Sequence, residues 1–234
     1  MSYVIICFLY IVSVNVSFGE NFHTSCFFKR IIKLEAINGI QSSNKKKICI
    51  ARGSVIVSQG NYIITADRLI TYFDKNKKLI SVKAEGDVIM SYDDIQKIYC
   101  DTLHYLVNKR IITFIGDAKL IEIQFNRSLE GNIIIFYFDK DKKNKIFIKR
   151  MDVEGKVLLK INNYVISSDK LLYLKYKNIF YIMNNIRIIQ NNYQNNAEYV
   201  IINITRSSSE LFAIDPLRLK NNDSKKIVRI LFNR

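Results

Sequence analysis

The chain has 234 residues, 49% of them hydrophobic, which suits one domain with a sizeable core and leaves no room for several. It carries 36 Lys and Arg against 21 Asp and Glu, a formal charge of +15. That balance admits nucleic acid, an anionic membrane or an anionic ligand as partners, and speaks equally to solubility.

The first stretch, "YVIICFLYIVSVNVSFG" (residues 3–19), is apolar and uncharged, and Ser17-Phe18-Gly19 offers a small-x-small cleavage site before Glu20. It reads as a signal peptide over residues 1–19, cleaved in the mature protein, although no basic residue precedes it. The rival reading is an uncleaved anchor, at the short end for a membrane span. Either way the remainder is exported. Cys26 in "FHTSC" lacks the Leu of a lipid-attachment site, and Cys49 and Cys100 read as unpaired thiols, since neither a CxxC nor a zinc spacing occurs. No metal and no cofactor is expected.

From residue 53 onward the chain repeats itself. Openings stand at Gly53, Gly86, Gly116 and Gly155, with Asn184 as a degenerate fifth. After each opening, apolar residues alternate with polar ones: Val55 and Val57, Val88 and Met90, Ala118 and Leu120, Val157 and Leu159, Ile186 and Ile188. Period-two alternation is the mark of a half-buried strand. An acid follows at Asp67, Asp101, Glu130, Asp169 and Glu198, preceded in four copies by a small residue (Ala66, Cys100, Ser168, Ala197). Leu69, Leu103 and Leu171 stand two beyond the acid, with Val200 in the fifth copy. The segments "FDKNKK", "SYDD" and "VNKR" read as turns, and "DKDKKNK" (residues 139–145) as a charged insertion in the third copy.

The spacing of Ala66 and Leu69 carries information on shape. Three apart on a flat strand, they would face opposite sides. Both face inward only if the chain bends at Asp67, with the acid meeting freed backbone N–H groups at the bend. The expected fold is therefore all-β and repeat-built, a curved, solenoid-like stack of antiparallel strands. The domain spans residues 20–206, and residues 207–234 form a basic tail with one strand-like segment, "KIVRILF".

Residues 38–73, with "EGDV", "IGDAKL" and "VEGKVLL" later, resemble the opening and the recurring G-x-V units of the OstA-like family, the LptA type. The resemblance runs over residues 31–205. It implies a half-open β-jelly roll, a periplasmic protein of lipopolysaccharide transport, and copies stacked head to tail into a bridge between inner and outer membrane. It implies no catalytic residues.

The residues themselves argue against an enzyme. Cys100 and His104 lie about 13 Å apart on a straight strand, too far for a nucleophile–base pair, and no phosphate loop, GxSxG or HExxH occurs. Scattered Lys and Arg after a signal peptide argue against nucleic acid. The expected function is transport without chemistry. An apolar groove lined by Val55, Val57, Ala66, Leu69, Val88, Met90, Leu103, Ala118, Leu120, Val157, Leu159, Leu171, Ile186 and Ile188 shelters the acyl chains of lipopolysaccharide. Basic residues at the rim meet its phosphates and sugars. The alternatives are a membrane-anchored sister component of the same system and an exported structural β-solenoid without lipid. The strands near residues 29–37 and 198–205 are expected to be open edges that pair with the next copy or with inner- and outer-membrane components. A tail folded back over the second edge is the competing arrangement.

Overall fold

The structure is a computed structural model that describes residues 33–92, 95–142, 146–161, 163–190, 193–203, 208–212 and 227–231, with side chains as far as Ile202. The signal-peptide segment, His23 and Cys26 lie outside the described residues.

Fourteen strands form one antiparallel sheet. They are β1 (Lys33–Glu35), β2 (Ile40–Ser43), β3 (Ile48–Gln59), β4 (Tyr62–Phe73), β5 (Leu79–Tyr92), β6 (Gln96–Leu106), β7 (Ile111–Glu122), β8 (Arg127–Lys140), β9 (Ile146–Ile161), β10 (Tyr164–Leu174), β11 (Ile179–Gln190), β12 (Tyr193–Asn203), β13 (Ser208–Phe212) and β14 (Ile227–Leu231). From β3 onward each strand pairs with the next in sequence, and a 3-10 turn at Ile123–Phe125 separates β7 from β8. β1 and β2 both pair with β3, on different halves of it, so together they form the first rung.

Each long strand is bent at its middle. In β3, β5, β7, β9 and β11 the bend is a pair of residues with positive φ: Gly53-Ser54, Gly86-Asp87, Gly116-Asp117, Gly155-Lys156 and Asn184-Asn185. These are the five repeat openings. The ladder shifts register at the same points, as between Arg52 and Val55, Glu85 and Val88, or Met183 and Ile186. Each opening is thus a β-bulge that turns the strand through a corner. Glycine suits the first bulge position because φ near +75 to +83° leaves no room for a side chain.

The neighbouring strand turns the same corner through an Asp or Asn. Asp67 lies against Gly86, Asp101 against Gly116, Asn132 against Gly155 and Asn38 against Gly53. A Cβ on Gly116 would stand 2.5 Å from Asp101 Cγ, so glycine is required for space as well as for φ. In the fifth rung Asn185 Nδ2 donates to Asp169 Oδ2 at 2.6 Å. These corner side chains therefore meet the bulge of the next strand.

The bend reverses the burial phase. In β6, Gln96, Ile98 and Cys100 are buried, Asp101 is exposed, and Leu103 and Tyr105 are buried. The same switch separates Ala66 from Leu69 and Ser168 from Leu171. A single sheet cannot cover its own face if flat. Here Leu103, Phe114, Ile134, Phe136 and Ile182 reach 0% exposure within one continuous core and no long helix lies over them. The sheet must therefore fold along its line of corners, with one half covering the other.

Two walls result. The narrow wall holds residues 55–66, 88–92, 95–100, 118–131, 157–161, 163–168, 186–190 and 193–197. The broad wall holds 48–52, 68–85, 102–115, 133–142, 146–154, 170–183 and 199–203, and is extended by β13 and β14. Among the described residues every ladder joins narrow to narrow or broad to broad. Among the described residues only the chain itself joins the walls, at the corners, and no ladder joins them on the opposite side.

Two expectations change. The third acid is not Glu130, which points outward and pairs with Lys119 at 3.0 Å. The corner residue is Asn132. Two residues separate β3 from β4, three separate β5 from β6 and four separate β7 from β8, and the corner residue moves one residue farther from the preceding opening each time. The last edge also differs. Residues Tyr199–Asn203 of β12 pair with β13, and β13 pairs with β14, so β14 is the terminal strand of the broad wall. The tail supplies those strands, and among the described residues the narrow-wall half of β12 pairs with β11 alone.

Candidate functional site

The interior between the walls is built in rows, each running straight across the hydrogen-bonded strands. Next to the corners of the narrow wall lies a row of small residues. It includes Val55 opposite Ala66, Val88 opposite Cys100, Ala118 opposite Gly131, and Val157 opposite Ser168. One step outward lies an aliphatic row, in which Val57, Ile64, Met90, Ile98, Leu120, Leu129, Leu159, Ile166 and Ile188 are paired in succession. Small residues sit where the walls converge, and larger ones where they diverge.

The broad wall mirrors this with heavier side chains. Its first row pairs Ala51, Leu69, Ala84, Leu103, Phe114, Ile134, Val153, Leu171, Ile182 and Val200. Its second includes Tyr105, Ile112, Phe136, Met151, Tyr173 and Phe180. Phe114 meets Phe136 edge to face with centroids 5.5 Å apart, and Tyr173 tilts against Phe180 at 4.8 Å.

Thirteen of the fourteen lining candidates are buried in this one core: Val55, Ala66, Leu69, Val88, Met90, Leu103, Ala118, Leu120, Val157, Leu159, Leu171, Ile186 and Ile188. Val57 is half-buried against it, beside Leu34 of the short β1. The low exposure of these side chains shows that solvent is excluded from this seam between the walls.

Sequence reasoning found the bulge-bearing strands and overlooked their partners Ile64, Ile98, Leu129 and Ile166. Each stands three residues before a corner Asp or Asn, a spacing that could have identified them. It also missed the outermost narrow-wall row, where Gln59, Tyr62, Tyr92, Gln96, Glu122 and Arg127 are paired in succession. Tyr164 and Gln190 continue it beyond Ile161. Gln59, Gln96 and Glu122 are buried, and Gln96 Nε2 donates to Glu122 Oε1 at 2.9 Å. The row has a polar rim on an aliphatic wall.

Cys100 and His104 fall on opposite sides of a corner. Burial pushes the Cys100 thiol up to about 12, and burial followed by the nearby Lys83 charge lowers His104. A thiol so rarely ionised is a core residue, not a nucleophile.

Charge gathers on the outward faces. Arg68 and Lys83 both engage Glu85, the former at 3.3 Å, and Lys170 meets Glu154 at 2.7 Å. The Lys83 hydrogen bond, followed by other interactions with Lys83 and Arg68 that outweigh a modest desolvation, holds Glu85 below the usual carboxylate range. On β9, Arg150 forks onto Asp152 with contacts of 2.6 and 2.5 Å and stacks over Tyr137 at 5.1 Å. Among the described residues no helix is long and apolar enough to cross a membrane.

Residues 34–143 match the family described as LptA/(LptD N-terminal domain) LPS transport protein. No curated protein matches the chain. Among solved structures, the chain is similar to LptH, described as the LptA homologous periplasmic component of the lipopolysaccharide transport device from Pseudomonas aeruginosa. That match is 22% identical, has a TM-score of 0.39, and covers 49% of this chain and 79% of the other.

Proposed function

We propose, from the match of residues 34–143 to a family of lipopolysaccharide-transport proteins, that the protein carries lipopolysaccharide with its acyl chains between the two walls. The observation that supports this most is the seam. Its aliphatic row is continuous across nine paired strands, and among the described residues no backbone ladder crosses the side opposite the corners.

Acyl chains enter by parting the walls about the corner line. The side chains that separate regain apolar contact with the lipid, so the exchange costs little net burial. Each methylene removed from water contributes about 0.8 kcal/mol. Because neighbouring rungs present similar rows, a chain moves along the seam between near-equivalent positions. The protein supplies a low-barrier path and no chemistry.

In this reading the protein is periplasmic and bridges the two membranes. Among the described residues, the edges available for pairing with another copy or a membrane partner are β1 and β2 at one end, and β14 with the narrow-wall half of β12 at the other. Mass spectrometry of the protein purified from its own envelope tests the reading. Co-purified lipopolysaccharide supports it. Lipid-free protein in a cell that makes lipopolysaccharide favours a structural β-solenoid. The same spectrum gives the mature N-terminus, which separates a soluble bridge from an anchored component.

A further inference from the structure

The polar row on the narrow wall is hard to explain as packing. It lies one register step outside the aliphatic row, about 7 Å farther from the corner line. Its members face the same interior, and Gln59 and Gln96 are each more than nine-tenths buried. Burying polar groups at the edge of an apolar seam is unfavourable unless they are paired. Gln96 and Glu122 pair with each other. Gln59 Oε1 is buried with no hydrogen-bond partner. An orphaned acceptor aimed into the seam points to a donor that arrives with a ligand.

The chemistry of the row says which donor. Gln59 and Glu122 offer oxygen acceptors, and Tyr62 and Tyr164 bring rings with hydroxyl tips. Arg127, exposed and stacked at 5.2 Å on Phe125, is the row's one cation from β3 to β11. Phosphates call for clustered cations. Acceptors beside aromatic rings, with almost no net charge, suit the hydroxyls of a sugar. Other cations of the long strands, such as Lys83, Lys119 and Lys170, alternate with buried residues and so face outward, and a phosphate would have to be met there.

We propose that this row is a subsite for the glycosyl head of the amphiphile, accepting hydrogen bonds from sugar hydroxyls at Gln59 Oε1 and at Glu122 while the tails lie in the aliphatic row beneath. The subsite rests on the reading of the seam as a lipid path. It fixes which end of the amphiphile points out of the mouth, and it selects glycolipids over other lipids of equal tail length.

Calorimetric titration of the full chain with two amphiphiles that share one alkyl tail, dodecyl maltoside and dodecyl phosphate, tests this. The wild type should bind the maltoside more tightly. Gln59→Leu and Glu122→Gln should each weaken maltoside binding about tenfold, the scale of one lost hydrogen bond to a buried group. Both should leave dodecyl phosphate within about twofold. Gln59→Leu removes an orphaned acceptor and should fold at least as stably as wild type. Met90→Arg, in the aliphatic row, should weaken both amphiphiles. Unchanged maltoside affinity in both rim variants, or parallel loss for both amphiphiles, overturns the subsite. If wild type binds neither amphiphile, the lipid path fails and the subsite fails with it. If Met90→Arg abolishes binding and the rim variants do not discriminate, the path stands and only the subsite is wrong.

Discussion

Asp67 lies against the bare Cα of Gly86 on the neighbouring strand, where a Cβ would stand 2.7 Å from its Cγ. The contact recurs along the corner line and makes each bulge depend on the strand before it. Gly86 also has φ +78°, so two costs coincide at one residue. Gly60 separates them, since its φ is +57° and nothing lies within 4 Å of a built Cβ. Gly60→Ala should cost about 1 kcal/mol from backbone strain alone. Gly86→Ala should cost about 3 kcal/mol, strain and overlap together. Urea midpoints of the two variants decide, and equal losses would show that the carboxylate yields freely.

The fifth corner carries Asn184 at φ +66° where the others carry Gly. Asn tolerates this region better than most residues and still less well than Gly. Asn184→Gly should therefore stabilise the protein, by about 0.5 kcal/mol, with the Asn185–Asp169 bond kept. A loss of stability on thermal unfolding would mean that Asn184 makes a contact worth more than its strain.

Alkaline pH should loosen the core. The Cys100 thiol ionises near 9.0 when exposed and is pushed to about 12 by burial. A raised folded-state value means the stabilisation is complete below pH 9 and is lost as pH rises from there toward 12. Buried Tyr105, also pushed up, acts in the same direction from pH 10. Stability measured at pH 8, 10 and 11 should fall progressively, and Cys100→Ala should flatten the first part of the decline. An identical slope in that variant would contradict the assignment to Cys100.

Asp152 is buried on the outer face of β9, and its carboxylate accepts two bonds from Arg150. Arg150→Met leaves that carboxylate without its cation and should cost about 2–3 kcal/mol. The double variant Arg150→Met with Asp152→Leu should recover much of the loss, because the penalty belongs to the unpaired charge. Failure of the double variant to recover in urea unfolding would assign the cost to packing of the guanidinium on Tyr137 instead.

Much of this architecture is legible in the amino-acid order because each feature has a short-range cause. The bulges are visible as Gly followed by a polar residue. The bends are visible as a small residue and a Leu three apart, since no flat strand buries both. What is illegible depends on register between strands. Glu130 is as acidic as Asp101 and differs only in that the turn before β8 is one residue longer than the turn before β6. Gln59, Gln96, Glu122 and Gln190 look like ordinary residues flanking turns until the ladders place them in one row. The tail's strand-like "KIVRILF" announces β14 in the sequence, whereas β13 and the ladders that place both strands on the broad wall have no such local mark.

The central claim is that lipid occupies one side of the bent sheet, and site-specific photo-crosslinking in the native envelope tests it most directly. Groups placed at Val57, Met90 and Leu159 belong to the aliphatic row, and groups at Ser54, Asp87 and Lys156 to the bulges. The account predicts lipopolysaccharide adducts at the first three and none at the second three. Equal capture at both sets, or capture confined to the bulges, would contradict it.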